Sequence, residues 1–308
     1  MNRRFQAVRR LSCMAWIAIV PCMPAQGTFD LAADFSASQN PNGAWSFGWM
    51  PPDTSFFHPY TMPSADAGLS LNEWRSFSPE DNGTAPPDVI KNPTDTPITV
   101  SDTTWLPHQV TFHPGQNGER SVIRWTSPVT GTARLFSAFE GRSGFVTSGI
   151  EIYRNNAPLF SGAVIGTGGT SQISFATNIA IKVGETIDFR VDYGNGDWAS
   201  DTTQIGVVIK AVPKPSLTML SPSSLSVRLT WPTNSQGYLL ESAAQLPAAL
   251  WTPVTNQPLV LGDRFVLNLG TTNPSQFFRL REQWDARTAL DFQAPFGETT
   301  RLASAHKR

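Results

Sequence analysis

The chain is short of charge. Lys plus Arg number 23 and Asp plus Glu 24 among 308 residues, so charged residues are 15% of the total, against about 25% in an ordinary soluble domain. The formal net charge is -1. There is no basic excess to grip nucleic acid and no acidic run of a solvating tail. Cysteine is nearly absent: Cys13 and Cys22 are the two present, and both lie in a stretch that reads as a leader. Beyond that stretch the sequence offers no disulfide, no zinc–thiolate site and no cysteine nucleophile. No apolar run reaches the roughly 18 residues of a membrane-spanning helix. The motifs H-E-x-x-H, G-x-S-x-G and G-x-G-x-x-G and the phosphate-binding loop are also missing.

What is present is apolar and aromatic. Hydrophobic residues make up 40%, with 19 Phe and 10 Trp, which excludes a wholly disordered chain. Arg3, Arg4, Arg9 and Arg10 precede an apolar run over residues 11–20, and the small residues Ala25 and Gly27 follow. That order is a secretory signal peptide, residues 1–27, and sets the expectation of an extracellular or cell-surface protein.

After Gly27 the pattern is alternation. Ser121-Val122-Ile123-Arg124-Trp125, residues 133–139, Ile187-Asp188-Phe189-Arg190-Val191 and residues 205–209 read as strands. Turn residues punctuate them at short spacing, as in Asn117-Gly118, Asn155-Asn156 and Gly194-Asn195-Gly196. Many short strands with frequent turns predict an all-β protein, with a jelly-roll-like β-sandwich over residues 28–211. Residues 50–100 are richer in Pro, Asp, Ser and Asn and are expected to be long loops around a few strands, decorating one end of the sandwich. Val212-Pro213-Lys214-Pro215-Ser216 reads as a stiff linker. Leu225, Val227, Leu229 and Trp231 then alternate with Ser226, Arg228 and Thr230, and residues 217–281 are expected to form a small fibronectin-like sandwich. The tail, 282–308, is expected to be mostly disordered, with one short helix near Trp284 and Leu290.

Two segments carry a family resemblance. Phe29-Asp30-Leu31-Ala32-Ala33-Asp34-Phe35-Ser36, followed by Gln39-Asn40-Pro41-Asn42-Gly43-Ala44-Trp45-Ser46-Phe47-Gly48, resembles the opening of a secreted bacterial β-sandwich family. That family is common in planctomycetes, verrucomicrobia and bacteria with PEP-CTERM sorting tails. Phe112-His113-Pro114-Gly115, residues 121–128, Gly194-Asn195-Gly196-Asp197 and Asp201-Thr202-Thr203 fit it as well, so the resemblance spans 29–211. Leu229-Thr230-Trp231-Pro232, residues 237–242, Trp251 and Phe277-Phe278-Arg279-Leu280 resemble a C-terminal module of verrucomicrobial secreted proteins, loosely like fibronectin type III. The resemblance implies a β-sandwich outside the cytoplasm and carries no assigned activity. After Leu280 the Pro-Glu-Pro signal, apolar helix and basic end of the sorted members are not found, which implies release from the cell.

Three groups of residues are candidates for chemistry. His108 and His113, five apart, would point to opposite faces of a strand and so not share a metal; His58 reads as isolated in a loop. Glu73, Glu119, Glu140, Glu151 and Glu185 are carboxylates available to a glycoside hydrolase, which needs two that converge. Asp192, Asn195, Asp197 and Asp201 lie within ten residues beside Gly194 and Gly196, and oxygen ligands on a flexible loop suit Ca²⁺; the same residues also shape turns. Among the aromatics, Trp45, Trp125, Trp231 and Trp251 are assigned to cores. Trp49, Trp74 and Trp105, in loop-like sequence with Phe56, Phe57 and Tyr60, are the candidate ligand platform, with Asn40, Asn42, Asn72, Glu73 and Asp81 as polar neighbours. The expected function is non-catalytic binding of polysaccharide or cell-surface glycan. The alternatives are a purely structural matrix protein, which predicts that Trp49, Trp74 and Trp105 are buried, and a secreted hydrolase.

Overall fold

A computed structural model describes residues 27–66, 69–76, 87–223, 226–235, 237–248, 250–270 and 275–283. The leader, Asp81 and the tail from Trp284 onward lie outside the described residues. The described part is almost entirely antiparallel β-structure.

The larger unit begins with β1 (Gly27–Asp30), the one-turn helix α1 (Leu31–Asp34), β2 (Trp45–Met50), β3 (His58–Pro59), β4 (Met62–Asp66), β5 (Leu71–Arg75) and β6 (Asp88–Lys91). It continues through β7 (Ile98–Val100), β8 (Thr103–Trp105), β9 (Val110–His113), β10 (Arg120–Thr126), β11 (Gly131–Gly141) and β12 (Gly149–Arg154). It closes with β13 (Ala157–Ala163), β14 (Ile173–Ile181), β15 (Thr186–Asp192) and β16 (Thr203–Pro213). One sheet has the order β14-β11-β16-β9-β6-β5-β4, with β1 paired to β16; the other is β13-β12-β15-β10-β2-β3. Pairing is nested, β11 with β16 in one sheet and β12 with β15 in the other, which wraps the chain as a jelly roll.

The core lies between these sheets. Phe47, Ile123, Ile150 and Phe189 face it from one side, and Phe112, Leu135, Ile205 and Ile209 from the other. The expected strands at 121–125, 133–139, 187–191 and 205–209 fall inside β10, β11, β15 and β16. The strands expected among the loops of 50–100 include β4, β5 and β6, which are part of the main, eight-stranded sheet rather than a decoration at one end and extend it beyond β9. These strands are short and interrupted by Pro and Asp, so alternation has no room to show in the sequence.

The opening segment is tied down by its own side chains. Asp30 caps α1 by accepting from Ala32 and Ala33 N–H at 2.9 and 3.1 Å. Asp34 Oδ2 accepts the Trp45 indole N–H at 3.1 Å, and Asn42 donates to the Asp34 carbonyl at 2.8 Å. Trp45 can therefore be buried without an orphaned donor.

The smaller unit contains β17 (Thr218–Ser223), β18 (Ser226–Pro232), β19 (Tyr238–Ala243), β20 (Thr252–Pro253), β21 (Leu259–Leu261), β22 (Arg264–Gly270) and β23 (Phe277–Glu282). They form a four-stranded sheet, β17-β18-β22-β21, and a three-stranded sheet, β20-β19-β23. Val227, Leu229 and Trp231 point inward from β18 while Arg228 is exposed, as the alternation predicts. Trp251 corrects its core assignment: it is half-buried outside a strand, with the Arg279 guanidinium 4.2 Å from its ring centre. Glu282 joins the units, accepting from Thr132 at 2.9 Å and pairing with Arg134 at 3.3 Å.

Candidate functional site

The three tryptophans proposed as a platform do not come together. Trp74 lies on β5 opposite Val89, sharing its inward face, and is 3% exposed. Its indole N–H donates to the Ser36 carbonyl at 2.7 Å. It is a core residue and offers no face to a ligand, which corrects the platform reading for this position. Trp105 is half-buried on the β7–β8 hairpin, its N–H donating to Thr111 Oγ1 at 3.1 Å. Trp49 is half-buried at the far end of β2.

Trp49 does have aromatic company. The β2–β3 register places it opposite His58, and the two rings stack at 4.7 Å with 21° between planes. Phe56 meets His58 edge-on at 4.7 Å. Phe56 is 67% exposed in the loop just before β3, the edge strand of the six-stranded sheet, and ends a three-ring group with His58 and Trp49. Asp53, Thr54 and Ser55 stand exposed in the connecting loop, and the Phe56 N–H donates to Thr54 Oγ1 at 3.4 Å. His58 is thus not isolated; the strand pairing that brings it to Trp49 is invisible in linear sequence.

The edge is held from behind. Asn40 donates to the carbonyls of Phe47 and Tyr60 at 2.7 and 2.8 Å and accepts the Phe47 N–H at 2.8 Å. Asn40 and Asn42 are therefore structural clamps, with their amides committed to backbone. Gly48 is required where Phe57 crosses β2: a β-carbon there would collide with the His58 carbonyl oxygen and the Phe57 ring. Phe57 in turn packs against the Arg124 guanidinium, 4.1 Å from its centre. Arg124 grips buried Asp188 through two bonds of 2.6 and 2.9 Å, and Asp188 also pairs with buried Arg190 at 3.0 Å. Arg190 stacks on Tyr153 at 3.9 Å. The outer face of this sheet is a braced ladder of alternating rings and guanidinium groups.

No model of any protein family matches the chain, and no curated protein matches it. Solved structures overlap it only loosely. CBM51 of Clostridium perfringens GH95, in complex with methyl-galactose, is 17% identical over 33% of this chain and 69% of that one, with a TM-score of 0.24. TmCBM61 in complex with beta-1,4-galactotriose is 15% identical over 45% and 86%, with a TM-score of 0.26. A family 35 carbohydrate binding module from Clostridium thermocellum is 10% identical over 48% and 97%, with a TM-score of 0.22. At these scores nothing is transferred from those proteins, and the chain's own geometry carries the reading.

The acidic loop after β15 is built from turns. Asp192 Oδ1 accepts from Gly194 N–H at 2.8 Å, Asn195 Oδ1 from Asp197 N–H at 2.8 Å, and Asp197 Oδ1 from Ala199 N–H at 3.0 Å. Asp201 instead turns inward and is fully buried. Burial, with the negative charges of Asp197 and Asp192 added, pushes its carboxyl up to about 6 despite the Thr147 donors. Among the described residues no three His, Cys, Asp or Glu side chains are gathered as a ready-made metal cage.

The other candidates separate. His108 is exposed and pairs with Asp95 at 2.8 Å, whereas His113 places Nδ1 2.7 Å from the Pro114 carbonyl. Burial lowers the His113 pKa. Burial, then Glu73, pushes the Asp88 carboxyl well up, while Arg75 opposes. Two grooves lie elsewhere. One, of about 480 Å³, enters the smaller unit between Trp231, Leu240, Val254 and Phe265. The other, of about 360 Å³, lies where Thr132 and Lys214 approach Tyr238, Arg281 and Glu282. Among the described residues no helix is long and apolar enough to cross a membrane.

Proposed function

We propose that this chain is a secreted, non-catalytic protein that binds polysaccharide or cell-surface glycan at the exposed edge of its larger sandwich. The observation that carries this reading is the ring row itself: Phe56 is 67% exposed and stands on a His58 already stacked against Trp49. Aromatic surfaces take the apolar C–H faces of sugar rings, and nearby polar groups take the hydroxyls. Asp53, Thr54 and Ser55 provide those groups beside Phe56. Two of the three rings are held by strand pairing, Trp49 half-buried on β2 and His58 on β3, so little of their side-chain freedom is lost on binding.

Affinity electrophoresis of the chain in gels carrying neutral and acidic polysaccharides tests the proposal. Retardation should appear in at least one polysaccharide and be lost in Phe56→Ala with the melting temperature unchanged. A wild type that is retarded by none, or a Phe56→Ala variant retarded like the wild type, would sink it.

A further inference from the structure

The loop after β15 contains an anionic group that the protein leaves half-satisfied. Asp201 is fully buried. Its Oδ1 accepts from Thr147 N–H at 2.7 Å and from Thr147 Oγ1 at 3.2 Å. Its Oδ2 is equally enclosed and meets no donor. The residue is fixed from the backbone as well, its carbonyl accepting from Ser148 and Thr203 hydroxyls at 3.1 and 3.3 Å. A buried carboxylate costs several kcal/mol unless a counter-charge or a full set of donors meets it. Among the described residues neither Asp201 nor its neighbours Asp192 and Asp197 takes part in an ion pair.

Asp192 comes to the same short segment from the other end. Its carboxylate lies so close over Gly149 that any side chain there would strike it, and Asp201 grips Thr147, two residues earlier. Gly194 packs against the Thr147 carbonyl between them. Asp192 uses Oδ1 on the Gly194 N–H, and among the described residues no hydrogen bond occupies its Oδ2. Two carboxylates thus flank residues 147–149, each with one oxygen uncommitted, next to an exposed glycine-rich turn open to water.

We propose that this loop binds a divalent cation, calcium by its all-oxygen chemistry, with Asp201 Oδ2 as the buried ligand and Asp192 Oδ2 as the second. Calcium takes six to eight oxygens and tolerates irregular geometry, so water and backbone carbonyls complete a site that is not a closed cage. Asn195 and Asp197 accept backbone N–H groups of the exposed turn, and of the two only Asp197 adds negative charge; neither is a ligand of the site. The proposal stands independently of sugar binding, because its ligands are distinct from Trp49, Phe56 and His58.

Terbium, which replaces calcium on oxygen ligands and is excited through a nearby indole, is the probe, since Trp198 lies in the loop. The chelator-treated full chain should show saturable terbium emission that calcium displaces. Calcium should raise the melting temperature, with half-saturation in roughly the 10⁻⁴–10⁻³ M range of extracellular modules. Asp192→Asn and Asp201→Asn should each weaken this at least about tenfold, while Asn195→Ala should leave it near wild type. Asp192→Asn decides the question alone if Asp201→Asn does not fold. No saturable emission and no calcium-dependent melting shift in the wild type would overturn the proposal, as would unchanged binding in Asp192→Asn.

Discussion

Asn40 holds Phe47 by both of its backbone polar groups, accepting the N–H at 2.8 Å and donating to the C=O at 2.7 Å. The same amide reaches the Tyr60 carbonyl at 2.8 Å, so one side chain ties β2 to the segment just past β3. Asn40→Ala removes the partner of the Phe47 N–H and of the Tyr60 carbonyl, while the Phe47 carbonyl keeps the Tyr60 N–H at 2.9 Å. The expected loss is about 2–4 kcal/mol, from orphaned groups at about 1–3 kcal/mol each with partial relaxation. Urea unfolding measures it. A loss below about 0.5 kcal/mol would mean that water replaces the amide.

Gly48 should be intolerant of any side chain. Gly48→Ala forces the methyl into the His58 carbonyl oxygen and the Phe57 ring. Parting β3 from β2 would also part His58 from Trp49, so stability and polysaccharide retardation should fall together. Phe56→Ala, by contrast, should lose retardation alone. Melting curves beside affinity gels separate the two.

The Asp188 network should show the asymmetry of buried ion pairs. Asp188 answers Arg124 and Arg190 together, and Arg190 is itself buried. Asp188→Ala leaves two cations facing each other and should cost about 3–5 kcal/mol. Asp188→Leu combined with Arg190→Met should recover much of that loss. Denaturant midpoints of the single and double variants test this, and a double variant no better than the single would exclude it.

His113 sets a pH dependence of known sign. Burial holds its folded-state pKa below the ordinary value near 6.5, so the unfolded chain binds the proton more readily. The contribution of this group is present above about pH 6.5 and is lost as pH falls below that value. Unfolding free energy should therefore decline on acidification below pH 6.5, and His113→Gln should decline less over the same interval. Identical pH profiles for the two proteins would assign the decline to other groups.

The sequence by itself determined the all-β class and the long strands. β10, β11, β15, β16 and β18 each run seven or more residues, enough for inward and outward positions to alternate visibly. It also determined that Trp125 and Trp231 are interior, because each sits in such a pattern, while Trp45 was legible as interior from the motif it shares with the resembled family. Tertiary structure alone decided the rest. Trp49 and Trp74 occupy similar aromatic, loop-like sequence, yet Trp74 is core and Trp49 is at an edge. The difference is pairing: Trp74 stands opposite Val89 inside the sheet, and Trp49 stands opposite His58 on its last strand. Likewise nothing local separates Asp201 from Asp197, but Asp201 meets Thr147, 54 residues away, and is drawn inside. Short strands carry too few residues to declare their faces, and partners distant in sequence declare them instead.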